Sequence, residues 1–482
     1  MDHAPVHTYA LAGWIFLRLL GLIYLVAFLS LAPQIKGLIG REGILPVTEF
    51  LRKPPRWNLQ LFFSTPTLFW FNASDGFLSG LCWGGAFLSL LLTIGFAPLP
   101  VLILVWVFYL SLFTAGRGFM GYQWDVLLLE AGFLAVFLAP LEILPRFPPV
   151  ASPSPVIIWL LRWLLFRLMF SSGMVKFLSG DRNWRSLDAL RFHYETQPLP
   201  APVAWWAHQL PAWFHRLSAA SVLAIEIIAP FMIPGSAWMR MIAAALFIGL
   251  MLLIQLTGNY AFFNLLAIAL CVPLFDDQML GGLFGLTHWQ PAHPTATSIW
   301  VSLVPAALVL ILSPTPIFKL FHSDIRWPNL WERLIDFLTP FRLVNSYGLF
   351  SIMTIERPEI IIEGSQDGRE WEQYEFHYKP GDVRRAPRFV APHQPRLDWQ
   401  MWFAAMGFYH NHVWVGRLMR QLMEGAPPVE ALLKVNPFQK TLPRFIRCVL
   451  YDYRFTSVEE RRKTGAWWRR DRRGLYGPEL KR

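Results

Sequence analysis

The sequence predicts a mainly α-helical, polytopic transmembrane bundle followed by a C-terminal extramembrane domain of mixed α and β structure. Three observations carry that prediction. The 482 residues are 54% hydrophobic and only 16% charged, whereas soluble chains carry about 25% charged residues. Apolar runs of bilayer length recur through residues 1–313. Beyond Pro314 those runs stop, and β-branched stretches punctuated by turn residues replace them.

Runs of about 17–25 apolar residues are long enough to cross the hydrocarbon core. The candidates are Leu11–Leu31, Phe77–Phe96, Pro100–Ala115, Trp124–Ala139, Val156–Leu178, Leu217–Ile233, Trp238–Thr257, Tyr260–Phe275 and Thr297–Ser313. They predict about eight or nine spans. Several are short, and the last two contain Pro273 and Pro305, so fewer full crossings with re-entrant pieces also fit. The opening MDHAPVHTYALAG lacks a basic n-region, and Leu11–Leu31 is long for a signal segment, so it is expected to be a retained first span.

Two long polar loops interrupt the bundle. Residues 32–76 are rich in Pro, Gly and cations. Residues 179–216 alternate Trp205, Trp206, Trp213 and Phe214 with prolines and histidines, which predicts short helices lying in the membrane interface. After a linker at 314–340, residues 341–456 form the C-terminal domain. SIMTIERPEIIIEG is strand-like, and Asp367-Gly368 is a hairpin-turn pair. Helical spacing follows over Leu397–Tyr409 and Val413–Glu424, with Asn411 as a cap, and Arg444–Phe455 has the pattern of a returning strand. Residues 457–482, including RRKTGAWWRRDRRG, form a basic aromatic tail suited to clamping lipid headgroups. The net charge of +11 comes with no nucleic-acid motif, so membrane lipid and not nucleic acid is the expected partner.

The stretch Trp159–Trp184, WLLRWLLFRLMFSSGMVKFLSGDRNW, carries Arg162, Arg167 and Lys176 inside an apolar run. A cation at the bilayer centre costs at least about 2.5–3.5 kcal/mol, so this helix is expected in the middle of the bundle with acidic partners. Ser172 and Gly173 share the Lys176 face and leave room for another backbone. Asp125, Glu130 and Glu226 are the available carboxylates. Asp125 and Glu130 lie five apart and diverge by about 140° on a helix, so they cannot share a proton or a metal. Arg117 or solvent is expected to neutralise Asp125, and Arg162 or Arg167 to pair with Glu130. Structural pairing and a proton-relay site both fit these charges. Lys176 is either a desolvated base or a snorkelling cation. Asn259 and Asn264 complete an intramembrane polar core in which helix-bridging amides are the ordinary role.

Other chemistry finds little footing. His193, His208 and His215 lack the spacing of a metal site. Cys82, Cys271 and Cys448 form no CxxC pair, and no P-loop, GxGxxG or GxSxG is present.

The blocks GREGILPV, YQWDVLLLEAGFLA, RWLLFRLMFSSGMVKFLSGDRNWRSLDALRFHYETQPLP, TGNYAFFNLL, NSYGLFSIMT and KTGAWWRR together resemble the lipase maturation factor family, from about Gly37 to Trp468. The resemblance implies a multispan membrane protein that helps secreted lipases fold and assemble, in the endoplasmic reticulum membrane in eukaryotes. This compact chain, without a retention signal, is similar to a bacterial-type member expected in the inner membrane. The family implies a C-terminal domain on the lumenal side, whereas the Lys and Arg bias of the loops places it in the cytoplasm. More distantly, FSSGMVKFLSGDRNW is similar to the membrane domain of vitamin K-dependent gamma-carboxylases, where a lysine deprotonates a quinol.

Two functions are therefore expected. In the first, the protein binds an exported client such as a lipase through Trp205, Trp206, Trp213, His193 and Tyr194, with no cofactor and no bond made or broken. In the alternative it is a membrane enzyme with Lys176 as base, Glu130 and Arg167 positioning charge, and a quinol-like lipid as cofactor or substrate.

Overall fold

The computed structural model describes residues 8–51, 59–286, 289–321 and 327–482. Among these, seven helices are long and apolar enough to cross a membrane: Ala10–Leu31, Asp75–Ile94, Pro98–Phe119, Pro155–Leu178, Ala212–Met232, Ala237–Thr257 and Ala296–Phe321. A helix pair bent by 111°, Phe263–Leu274 with Asp277–Leu283, brings the number to eight if it counts as one span. The protein is thus a multi-pass integral membrane protein with an extramembrane C-terminal domain.

Local chemistry sets the helix ends. The hydroxyls of Ser74, Ser154, Ser236 and Thr295 accept from backbone N–H groups of the first turns that follow them, satisfying donors that the helix itself leaves open. Asp277 caps a helix distant in sequence, accepting from the N–H groups of Ala10 at 2.8 Å and Leu11 at 2.7 Å. Small residues set the packing distances. A Cβ on Gly21 would lie 2.7 Å from the backbone nitrogen of Thr93, so the Ala10–Leu31 and Asp75–Ile94 helices touch backbone to backbone.

The Pro155–Leu178 helix lies at the centre, as its cations require: 72% of its apolar window is buried, more than for any other long helix. The Trp124–Ala139 run differs from a full-length span. It forms a helix over Gln123–Val136, 14 residues of which ten are buried, about 21 Å long. It nevertheless carries the chain through the bundle, because Ile143 beyond its end accepts from Ala97 N–H at the opposite turn. Protein walls surround it, so a length shorter than the bilayer suffices.

The C-terminal domain is built on an antiparallel sheet. Its strands are β1 (Arg357–Ser365), β2 (Glu372–Gln373), β3 (Glu375–Phe376), β4 (Leu433–Val435), β5 (Phe445–Phe455), β6 (Trp468–Leu475) and β7 (Leu480–Lys481). The main sheet runs β2-β1-β5-β6, with β7 also on β5, while β3 and β4 pair separately. Gly368, at φ 74°, lies in the connection between β1 and β2. Asp367 has no positive φ and the connection runs from 366 to 371, so the pair does not form the two-residue hairpin turn expected. Helices Arg396–Met406 and Val413–Glu424 complete the domain.

The linker is helical over Pro314–Phe321 and Asn329–Leu338. Two further expectations need correction. Asn411 is no cap; His412 precedes the Val413 helix and gives no side-chain bond. The basic tail is part of the fold. Ser457 and Glu460 form a capping box that starts the Val458–Thr464 helix, and β6 then pairs with β5 from Phe455↔Trp468 to Val449↔Leu475. Trp468 is buried against Phe455, ring centroids 4.3 Å apart, and Arg461 lies 3.5 Å over the ring of Trp467. Trp468 is therefore committed to the domain interior, and Trp467 is half-buried beneath Arg461.

Candidate functional site

The Gln123–Val136 helix presents two carboxylates in different directions, as their sequence separation requires, and each meets the C-terminal domain. Asp125 accepts two bonds of 2.9 Å from the guanidinium of Arg396 and one of 2.5 Å from Tyr109. Arg396 also donates to the Phe119 carbonyl at 2.7 Å, and its own N–H is received by Gln34 at 2.9 Å. Ser30 accepts from Gln394 N–H at 2.8 Å and lies 2.9 Å from His393 Nδ1. All of these groups except His393 are buried. Arg117, the expected partner of Asp125, donates instead to the carbonyls of Leu45 and Pro46.

Glu130 pairs with Arg167, as expected, and also accepts from Asn345 N–H at 2.9 Å, Asn345 Nδ2 at 3.0 Å and Tyr347 hydroxyl at 2.6 Å. Asn345 and Tyr347 belong to the segment leading into the C-terminal domain. Arg162 takes no part. It donates to the Pro273 carbonyl at 2.9 Å and lies over the rings of Tyr9 and Trp159.

Lys176 is bound to Glu226, at 2.9 and 2.7 Å to the two carboxylate oxygens, and its third bond goes to the Ser172 carbonyl at 3.0 Å. The Ser172 hydroxyl turns back onto Leu168. Gly173 gives the room anticipated, since a Cβ there would lie 2.6 Å from Ile227 and 2.9 Å from Glu226. Asn259 bridges bundle and domain: it donates to the carbonyls of Leu199 and Arg388 and accepts from Val390 and Ala391. Asn264 bonds Gln255 at 2.9 Å.

The loop at 179–216 forms short helices, Arg182–Arg185, Ala189–Thr196 and Pro202–His208, and it too is clasped by the domain. Arg357, fully buried, donates to the carbonyls of Glu195 at 2.7 Å and Pro198 at 2.8 Å, and also to that of Gln197. Trp205, only 1% exposed, packs with Tyr194 against Tyr453, Phe455 and Trp468. Trp205 and Tyr194 are therefore interface side chains and offer no free surface, contrary to expectation. Trp206 at 56% and Trp213 at 65% remain exposed. His193 lies 3.3 Å from the Tyr260 hydroxyl, and burial, then the nearby Lys176 charge, pushes its pKa down to about 4.

Sequence reasoning found Asp125, Glu130, Arg167, Lys176 and Glu226, and missed Arg396, Asn345, Tyr347, Arg357 and Gln34. Only NSYG, a short polar block with a turn glycine, carried a visible signal. Among the described residues no group of His, Cys, Asp and Glu side chains could hold a metal. The geometry joins charges into closed networks whose common effect is to hold an extramembrane domain and its loops against one end of the bundle.

Fold and site together define a polytopic membrane protein whose soluble domain is keyed into its bundle by buried charge. The chain belongs to the lipase maturation factor family: the model described as the lipase maturation factor transmembrane domain matches residues 11–282, and that of the C-terminal domain matches 343–478. It is 36% identical to lipase maturation factor 2 of Xenopus tropicalis, over 93% of this chain and 79% of the relative. It is 35% identical to lipase maturation factor 1 of Bos taurus, over 98% and 90%, and 35% identical to lipase maturation factor 2 of Homo sapiens, over 95% and 80%. No solved structure matches.

Proposed function

We propose that this protein assists the maturation of exported proteins of the lipase class from within the membrane, by binding them and without making or breaking a bond. The observation that carries the reading is similarity at 35–36% identity across both halves of the molecule to proteins named for lipase maturation. Physical support comes from the rim beside the docked domain, where Trp206 and Trp213 are exposed. Indoles at such a rim suit contact with lipid headgroups and with an incompletely folded client alike. The membrane is then the one across which the clients leave, the inner membrane of a bacterium or the endoplasmic reticulum of a eukaryote.

The alternative in which Lys176, Glu130 and Arg167 act on a quinol-like lipid draws less support. Lys176 donates all three of its bonds to Glu226 and Ser172, and the relatives that the chain matches are named for lipase maturation.

The test is secretion of a dimeric lipase from cells lacking any factor of this family, with and without this chain. Active lipase per mass secreted should rise with the chain, fall with Trp206→Ala/Trp213→Ala, and persist with Lys176→Met/Glu226→Leu. No rise with the wild-type chain contradicts the proposal, and loss specific to the Lys176 pair favours chemistry.

A further inference from the structure

A cavity of about 460 Å³ lies between the central Pro155–Leu178 helix and the Ala212–Ile227 and Ala237–Thr257 helices, within the range of small-molecule binding sites, about 300–1,000 Å³. Its mouth is built from side chains that face outward from the bundle: Leu217, Ser221 and Leu253 are all exposed. In a membrane those side chains meet acyl tails, so the cavity opens sideways into the bilayer and not into water.

Its inner end is polar but carries no net charge. Lys176 and Glu226 neutralise one another, and every donor of the ammonium already has an acceptor. His193 is neutral near pH 7, and the Tyr260 hydroxyl donates to Gln197 at 2.9 Å. Gln123 differs. Its carbonyl oxygen accepts from Gly348 N–H at 2.8 Å, while its Nε2 is buried and, among the described residues, has no partner. A buried donor left open costs about 1–3 kcal/mol and is met by a ligand or by water. An ionised head placed beside a closed ion pair finds no counter-charge, whereas a neutral oxygen finds a donor.

We propose that this cavity is a binding site for a single long-chain lipid with an uncharged, oxygen-bearing head, which enters laterally from the bilayer and accepts a hydrogen bond from Gln123. The shared chemistry is a neutral acceptor oxygen on an apolar tail, and both an acylglycerol ester and a quinone carbonyl possess it. The site is independent of the client-binding reading, since none of its inner residues lies at the exposed rim.

The test uses the full chain in lipid nanodiscs and a diazirine-tailed monoacylglycerol as photoprobe, with labelled peptides mapped by mass spectrometry. Labelling should be saturable and confined to peptides from residues 168–176, 210–226 and 250–263. Competition by 1-oleoylglycerol or by a long-chain quinone supports the site, and the stronger competitor identifies the source. Oleate should compete at least about tenfold more weakly. Ser221→Trp, at the outward-facing mouth, should cut labelling about tenfold, and Gln123→Met should weaken the ester probe while leaving a hydrocarbon-only probe unchanged. Non-saturable labelling, peptides elsewhere, or oleate competing equally overturns the proposal.

Discussion

Arg396 and Asp125 stand 271 residues apart in sequence and are joined by two parallel bonds of 2.9 Å in the buried seam between bundle and C-terminal domain. The fork of a guanidinium matches a carboxylate in this way, which fixes orientation as well as distance. Glu130, on another side of the same short helix, binds Asn345 and Tyr347. One helix of 14 residues thus receives the domain at two points. The two contacts set where the domain sits and how it is turned.

Lys176→Met removes one half of a buried pair and leaves Glu226 charged in an apolar wall. Such a change costs about 3–5 kcal/mol, and replacing both partners by apolar residues recovers most of it. Thermal unfolding of the purified protein should show a clear drop for Lys176→Met and near wild-type stability for Lys176→Met/Glu226→Leu. A stable single variant contradicts the pairing.

Tyr347→Phe takes away one donor to Glu130 and keeps Arg167 and Asn345 in place. The expected cost is about 1–3 kcal/mol, appropriate to a buried hydrogen bond to a charged group. Hydrogen exchange should accelerate over residues 343–350 and stay unchanged in the β1–β5 core. Uniform acceleration through the domain would place the role of Tyr347 elsewhere.

These two sites mark what could be read from the sequence and what could not. Arg167, Lys176 and Glu226 were visible because a charge inside an apolar run needs an opposite charge, and few were on offer. Arg396 was invisible. It sits in QPRLDW, a stretch that has the composition of a surface turn, and nothing local reports that it inserts into a distant helix bundle. Trp205 misled for the opposite reason: a Trp-Trp pair between prolines has the look of interfacial surface, yet the buried face of that helix is set by the domain lying on it. In the tail, six arginines in close succession hid the alternation that places Trp468 inside the sheet. The existence of the long spans was legible from their apolar runs, but their lengths were not. Pro100–Ala115 and Thr297–Ser313 lie within the longer helices Pro98–Phe119 and Ala296–Phe321, and the Tyr260–Phe275 run falls in a pair bent by 111°. The Gln123–Val136 helix is shorter than its run because protein, not lipid, covers it.

The docking should weaken in acid. Burial, and then Arg396 and His377, push the His393 pKa down to about 4, whereas a released histidine titrates near 6.5. Between those values the released state binds the extra proton, so docking is complete above about pH 6.5 and loses up to ~1.4 kcal/mol per pH unit as pH falls towards 4. His193, also lowered to about 4, adds a slope of the same sign. Limited proteolysis between pH 7.5 and 5.5 should therefore show growing release of the domain, with His393→Gln roughly halving the pH dependence. A flat profile for the wild type contradicts this.

Trp205 and Trp213 should separate structure from client contact. Trp205→Ala opens a cavity between loop and sheet and should cost about 3–5 kcal/mol of stability. Trp213→Ala, at an exposed ring, should change stability by less than about 0.5 kcal/mol and still lower the yield of active secreted lipase. Equal yields for Trp213→Ala and wild type would move the client surface away from this rim.

The most direct measurement is a double-mutant cycle on Asp125→Leu and Arg396→Met, read as the free energy of releasing the C-terminal domain from the bundle in nanodiscs by hydrogen exchange. Each single variant should lose about 3–5 kcal/mol, and the double variant should fall well short of their sum, leaving a coupling of at least about 2 kcal/mol. Additive losses, with a coupling near zero, would mean that the domain is held on by something other than this pair.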